Sequence, residues 1–499
     1  MKRIIKYTTI LFVLFFLLNS LLAQDKKQSI DAVKRGDYIT GIKILKDIVK
    51  SDDDYDVNYW YAYALFMTEN YKEAEKYFKI ALEDDDEGID ALKYLGDIKA
   101  LEKDYSAANN YYKKALKINP NYVPVLISQS KIYLAQGKID DAITILTNAE
   151  INDKNNIEII VALGDAYYDR ETYKVAIEKY KKALAIKPKY APAFFGIGKA
   201  YYKLYLITED EEKKKEYYNE SFKAFESAIS ADPKFAEAYY EKGYLLFVVG
   251  RYSLAEESFL SYLELKPNSA RGKYYLARTE FKLRKFDEAE KLFNEIINID
   301  TIYISECNRY LGKIYNEKPA PDSATIVENY KKSLMYYDKI NENDLDLDDY
   351  INFIEISTNK YMKDFGEALK YFNKGKEKYP DNGELYFEMG RGYFNNEIID
   401  SAIIYFENAI SKDYKNGAIY LYLGLSYNYN KNYELAIKNL LISTEYKPTS
   451  IANLFIAKSY RALDDKENAI KYYEKTLEIE PDNQEAIDAI KVLKTQKNG

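Results

Sequence analysis

The chain has 499 residues, 72 of them Lys or Arg and 80 Asp or Glu, for a formal charge of −8, and 47% are apolar. That balance belongs to a folded chain rather than a disordered one, and its mild acidity argues against non-specific binding to nucleic acid. There is no histidine and one cysteine, Cys307, which removes histidine general-base chemistry, His or Cys cages around a metal, and any disulfide within the chain.

Residues 1–23 form a separate system. Lys2, Arg3 and Lys6 precede the apolar run Ile10–Leu18, which is too short to span a bilayer, and Ala23 offers a small residue for cleavage before Gln24. This is the pattern of a secretory signal peptide; left uncleaved, it would be the chain's one membrane contact. No Cys follows the apolar run, so a lipoprotein anchor is not expected.

After about residue 30 the chain repeats one helix. Tyr105–Pro120 reads YSAANNYYKKALKINP and Tyr173–Pro188 reads YKVAIEKYKKALAIKP, with sister copies starting at Tyr71, Phe365 and Tyr433. Ala74, Ala108, Ala142 and Ala176 are 34 residues apart, as are Ala255 and Ala289, and Ala368, Ala402 and Ala436; Ala469 follows after 33. The two breaks, 176 to 255 and 289 to 368, each equal two periods plus 11 residues, so each hides one repeat with an insertion. Gly96, Gly164, Gly198, Gly243, Gly312, Gly390 and Gly424 form a second lattice.

The elements follow in order. Residues 26–53 hold a partial first repeat with its turn at Gly36-Asp37-Tyr38 and with Ile42, Leu45 and Ile48 along its second helix. Regular repeats fall at 55–88, 89–122, 123–156 and 157–190. Numbering each repeat from its first residue, positions 17, 20, 24, 27 and 28 put one apolar stripe on the second helix. Small residues at positions 8 and 20 let the two helices approach closely. An insertion near 206–216, within the charged stretch Leu206–Glu220, is expected to lengthen both helices of its repeat. These segments make up an N-terminal array over 24–301. Residues 302–364, with Pro319-Ala320-Pro321 and the acidic stretch Asn341–Asp349, form an irregular segment with helices over 304–317, 322–339 and 348–358. A second array covers 365–482. Residues 483–499 are a cap and tail, with Ile487, Ile490 and Leu493 expected inward.

The 34-residue period with these marks resembles the tetratricopeptide repeat (TPR) family. The family pattern has Gly or Ala at position 8, Tyr at 11, Ala at 20, Tyr or Phe at 24, Ala at 27 and Pro at 32; residues 157–190 supply Gly164, Tyr167, Ala176, Tyr180, Ala183 and Pro188. The resemblance implies an all-α fold, a right-handed α-solenoid (superhelix) of about thirteen helix–turn–helix units closed by a C-terminal capping helix.

Sites of other chemistry fail on their own residues. Gly196-Ile197-Gly198-Lys199 lacks the first Gly and the Ser or Thr of a phosphate loop, and Gly198 is simply position 8. Asp84–Gly88 lacks the end residues of a calcium loop, and no Gly turn follows Asp344, Asp346 and Asp348. Cys307 falls beside Tyr310 and Leu311 in a first helix, as a small core residue would. The carboxylates are scattered over helix faces with no catalytic pair, so neither an enzyme nor a cofactor is expected.

What remains is a surface. In TPR proteins positions 5, 9 and 12 of the first helices line a groove, so the resemblance implies a partner-binding set here. Position 5 supplies Tyr59, Phe195, Tyr240, Tyr274 and Phe387; position 9 supplies Lys131, Lys199, Arg278 and Arg391; position 12 supplies Phe66, Tyr168, Tyr202, Phe247, Phe281 and Phe394. Aromatics mixed with cations suit an extended peptide bearing acidic residues or a free carboxylate. The competing reading is that these rings only pack between neighbouring first helices. The Lys–Asn clamp of chaperone-binding TPR domains is not implied, because Asn is absent from position 9. The expected function is that of an exported, periplasmic or envelope-associated scaffold for other proteins or peptides. The alternative is a component of a polysaccharide or protein secretion machinery whose aromatic groove contacts carbohydrate.

Overall fold

The computed structural model describes residues 24–50 and 53–495. The signal-peptide reading of residues 1–23 lies outside them. Every regular element among the described residues is helical, and the helices come in pairs joined by tight turns. The pairs are residues 24–34 with Tyr38–Ile48, Tyr55–Met67 with Tyr71–Asp84, Ile89–Leu101 with Tyr105–Ile118, Val123–Ala135 with Ile139–Asn152, Ile157–Asp169 with Tyr173–Ile186, and Ala191–Ile207 with Glu211–Ala231. Then come Ala236–Val248 with Tyr252–Leu265, Ala270–Lys282 with Phe286–Ile297, Ile304–Glu317 with Ser323–Tyr337, Leu347–Thr358 with Phe365–Lys378, Gly383–Asn395 with Ile399–Ser411, Gly417–Tyr429 with Tyr433–Tyr446, and Ser450–Ala462 with Lys466–Ile479. The helix Gln484–Thr495 follows these thirteen pairs. The chain divides into two compact units, one through Leu245 and one from Leu246. Within each, a second helix packs on its own first helix and on the first helix of the next pair, and successive first helices touch. This is an α-solenoid.

The sequence lattice has a packing cause. Ala74, Ala108, Ala142, Ala176, Ala255, Ala289, Ala368, Ala402, Ala436 and Ala469 are all 0% exposed. The position-8 glycines face the residue at position 24. A Cβ on Gly96 would lie 2.2 Å from the Tyr112 ring, one on Gly164 2.4 Å from Tyr180, one on Gly198 2.5 Å from Phe225, and one on Gly390 2.7 Å from Phe406. The ring at 24 therefore fills the space that a side chain at 8 would take. In two repeats the ring is also tied by its hydroxyl: Tyr112 donates to Asp97 and Tyr180 to Asp165, each at 2.7 Å.

The same position explains part of the tyrosine excess. Between repeats, the aromatic at 24 packs on a tyrosine at position 6 of the next first helix. Phe78 stacks on Tyr94 at 5.4 Å, Phe259 on Tyr275 at 6.0 Å and Phe293 on Tyr310 at 5.2 Å, while Phe406 meets Tyr422 at 5.9 Å in a tilted pair. Such pairs add about 0.5–1.5 kcal/mol each beyond burial.

The turn between paired helices is also periodic. In the repeat at 157–190 the Thr172 N–H donates to the Tyr167 carbonyl (3.0 Å) and the Glu171 N–H to Tyr168 (2.9 Å), the two bonds of a Schellman motif. The residue at that turn is left-handed: Gly137 and Gly250 have φ of 73° and 76°, but Glu171 holds the same conformation at 61°.

The two breaks in the alanine lattice are filled. Ser221 lies 34 residues before Ala255 and Ser333 lies 35 before Ala368, both buried. Each Ser Oγ donates to the position-8 carbonyl opposite, Ser221 to Gly198 at 2.8 Å and Ser333 to Gly312 at 2.7 Å. The first insertion lengthens both helices of its repeat, as expected: they run to 17 and 21 residues, against 13 and 14 in the preceding pair.

Residues 302–364 contribute ordinary pairs, with helices close to the expected ranges, and a buried ionic hub explains how the longer connection is held. Arg309 Nε donates to both Asp349 oxygens (2.8 and 3.1 Å), and its Nη2 donates to Asp349 (2.8 Å) and to the Asp344 carbonyl (2.7 Å). Its Nη1 pairs with Glu306. Asp346, one of the alternating aspartates, is an N-cap: it shares a capping box with Asp349 at the start of Leu347–Thr358.

Of two side-chain expectations, that for Cys307 holds and that for the capping helix is corrected. Cys307 is fully buried, and burial pushes its thiol up to about 12, so it is inert at neutral pH. In the capping helix the inward stripe is Ala486, Ala489 and Leu493, with Ile490 at its edge, while Ile487 is 39% exposed. The helix lies close against Lys466–Ile479, and that close approach selects alanines over the expected isoleucine.

Candidate ligand-binding face

The expected partner-binding residues all stand on first helices, and neighbouring helices decide what each can do. Six of the aromatics are packing residues. Tyr59 is 9% exposed, Tyr202 9%, Tyr240 6%, Tyr274 7%, Phe281 7% and Phe387 6%. Tyr59 sits among Tyr55, Trp60, Phe78 and Tyr94; Phe387 sits among Phe406, Tyr414 and Tyr422. For these six the inter-helix packing reading holds. Phe66, Tyr168, Phe195, Phe247 and Phe394 are half-buried and keep accessible faces.

In the N-terminal unit, Phe66, Lys93, Asp97 and Lys131, on three successive first helices, line one cavity of about 350 Å³ with Tyr112 of a second helix. Lys93 is paired with Asp97 at 2.7 Å; Lys131 is exposed. Further along, the Lys199 ammonium lies 4.5 Å from the Tyr168 ring and 5.5 Å from Phe195. Asp165 and Asp169 feel its charge but lie beyond ion-pair distance.

In the C-terminal unit, the Arg278 guanidinium sits among four rings, Phe247 at 5.0 Å, Tyr274 and Tyr275 at 5.3 Å and Tyr310 at 5.5 Å. Its Nε is buried without a hydrogen-bond partner, and no carboxylate among the described residues pairs with it. Rings hold a cation in place without neutralising it. Arg391 differs: its Nη2 bridges Glu355 at 3.1 Å and Glu388 at 2.6 Å, so it is not the free cation that its register implied. Burial pushes the Glu388 carboxyl up to about 7, against the pull of Arg391.

A second first-helix acid, turned toward carboxylates of second helices, is perturbed. Glu280 is 7% exposed, its Oε2 lacks a hydrogen-bond partner, and burial with Glu256 and Glu288 nearby pushes it up to about 7 from an ordinary 4.5. The folded chain therefore binds more protons than the unfolded chain between those values, and stability falls as pH rises through that window. Glu280→Gln removes the penalty. Its melting temperature should match the parent near pH 4 and exceed it above about pH 7, with a gain of up to about 3 kcal/mol. A pH-independent difference between the two would show that Glu280 does not titrate this way.

Tetratricopeptide repeat models match residues 26–89, 68–123, 100–164, 218–270, 245–301 and 452–483, and a TPR repeat model matches 164–204. Together they cover more than half of the chain. A TPR repeat-containing protein of Methanocaldococcus jannaschii is 23% identical over 300 residues, 59% of this chain and 46% of that protein. The BBSome complex member BBS4 of Bos taurus is 22% identical over 245 residues, 48% of this chain and 44% of its own length. The chain thus spans less than half the length of these two relatives. Among solved structures, yeast Tom70 aligns with 89% of this chain and 96% of its own at 16% identity and a TM-score of 0.36. A TPR protein of Thermus thermophilus aligns with 42% and 97% at 20% identity and a TM-score of 0.32. With the 34-residue register, the paired helices and the family-model matches in agreement, the chain belongs to the tetratricopeptide repeat family.

Proposed function

We propose that this chain is a non-catalytic, exported scaffold of the cell envelope that holds partner proteins by binding extended, acidic segments along its first helices. TPR arrays are scaffolds for protein–protein interaction, and BBS4 is named as a member of a complex. The observation that carries the specific reading is the state of the cations. In a chain of charge −8, Lys131, Lys199 and Arg278 stand on first helices without an ion-pair partner among the described residues, two of them braced on aromatic rings. A partner carboxylate would meet a pre-positioned, partly desolvated charge there. Export rests on the basic, then apolar, then small-residue order of residues 1–23.

The test is a titration of the full chain with a short Asp- and Glu-rich peptide and with its Asn and Gln counterpart. The acidic peptide should bind more tightly, weaken with salt, and lose about tenfold or more in affinity when Lys199 and Arg278 are both changed to Glu. Equal binding of the two peptides, or unchanged binding by the charge-reversed chain, would remove the proposal.

A further inference from the structure

We propose that the C-terminal unit carries a second binding site, for a neutral oligosaccharide, where a polar cavity meets an exposed aromatic platform. The site lies at the C-terminal ends of three successive first helices, Leu347–Thr358, Gly383–Asn395 and Gly417–Tyr429. A cavity of about 450 Å³ is lined by Glu355, Asn359, Lys360, Glu388, Arg391 and Asn395, among others. A second hollow of about 590 Å³ is lined by Phe394, Asn395, Glu397, Ile399 and Tyr429. Asn395 lines both, which puts them side by side. Their size suits one or two sugar rings.

The chemistry of the walls selects the ligand. Glu355 and Glu388 are tied to Arg391, and with Lys360 they make two carboxylates against two cations. Glu397 adds an exposed carboxylate at the adjoining hollow, and burial pushes Glu388 up to about 7, so the site has many donors and acceptors and close to balanced charge. A charged ligand finds no counter-charge in excess, and an apolar side chain would strip water from polar walls without replacing the hydrogen bonds. A neutral polyol can both donate to the carboxylates and accept from the arginine and amides. The Asn395 side chain is exposed and makes no intrachain hydrogen bond, so its amide is available.

The platform supplies the other half. Tyr429 is 56% exposed, with its ring held between Phe394 at 6.0 Å and Phe455 at 5.7 Å. Phe394 is itself braced on Tyr422 at 5.2 Å. A tyrosine fixed by its neighbours but open to solvent offers an apolar face at little cost in side-chain entropy, as the C–H face of a sugar ring requires. The close seat of the two helices beneath is set by Gly392, where a Cβ would lie 2.4 Å from the Thr358 Oγ1.

The test titrates the full chain with maltotetraose and with chitotetraose, by saturation-transfer NMR and calorimetry, and repeats it with Tyr429→Ala and Asn395→Ala. Both side chains are exposed, and circular dichroism checks that each variant is folded. At least one sugar should bind saturably, with an affinity indifferent to salt that falls about tenfold in each variant. The Lys199→Glu, Arg278→Glu chain should bind the sugar as the parent does, which separates this site from the peptide reading. Failure of both sugars to saturate, binding by both variants at parental affinity, or displacement of the sugar by the acidic peptide would each overturn the proposal.

Discussion

Asp349→Ala should cost the chain about 3–5 kcal/mol, the usual result of removing one partner from a buried ion pair. Asp349 is 0% exposed and takes three of the hydrogen bonds that Arg309 donates. It also accepts from the Asp346 N–H at 3.0 Å, so its loss opens the capping box as well. Glu306 and the Asp344 carbonyl remain to Arg309, which places the loss toward the lower end of that range. The damage should be local, because in an array each repeat leans only on its neighbours. Hydrogen exchange should speed up across residues 340–358, where Ile340, Leu345 and Tyr350 are buried around the hub, and stay unchanged near Ala108 or Ala469. The double change Arg309→Met, Asp349→Leu should recover much of the loss, since well-packed apolar side chains can replace a buried pair. If Asp349→Ala leaves exchange in this segment at the parental rate, the hub does not hold the connection.

That hub was not legible in the sequence, because it joins residues 40 apart, and Arg309 takes position 5, where several other repeats carry an aromatic ring. The repeats were legible because one constraint, a close helix crossing, recurs every 34 residues and admits only small side chains. The lattice broke at Ser221 and Ser333 for a physical reason: serine is nearly as small as alanine and adds a bond to the glycine carbonyl, so packing survives where the letter changes. The partner of the position-8 glycine, a ring rather than a backbone, needed the structure.

The binding face was legible only by register. Positions 9 and 12 point the same way in every repeat, but neighbours decide whether a residue there is free. Arg391 is spent on Glu355 of the preceding first helix, whereas Arg278 meets rings at the same register. Position 5 turned inward in Tyr59, Tyr240, Tyr274 and Phe387 because each ring packs in a layer with its neighbours. Tyr429, the most open ring of the platform, lies one place beyond position 12, so no register rule pointed to it. Its signal in the sequence was only an aromatic at the end of a first helix, where solvent and packing are equally near.

Gly164→Val should destabilise the chain by about 3 kcal/mol through overpacking. Valine is a somewhat better helix former than glycine, so any net loss comes from packing rather than from the backbone. The clash is with the Tyr180 ring, 2.4 Å from where a Cβ would stand. That ring has nowhere to go. Tyr180 is 1% exposed, its hydroxyl donates to Asp165, and on its far side Gly196 of the next first helix is so close that a Cβ there would lie 2.3 Å from the ring. Two glycines on successive first helices thus enclose one tyrosine, and filling either side forces the ring into the other helix. Elsewhere the chain solves the same crossing with leucine at position 24: Leu440 faces Gly424, and Leu146 occupies that place opposite Ser130. Tyr180→Leu should therefore relieve Gly164→Val, with the double variant more stable than the sum of the single losses by at least about 1 kcal/mol. Strict additivity would mean that the valine strains the backbone or a different neighbour. The ring at position 24 would then not be the element that sets the spacing of the helices.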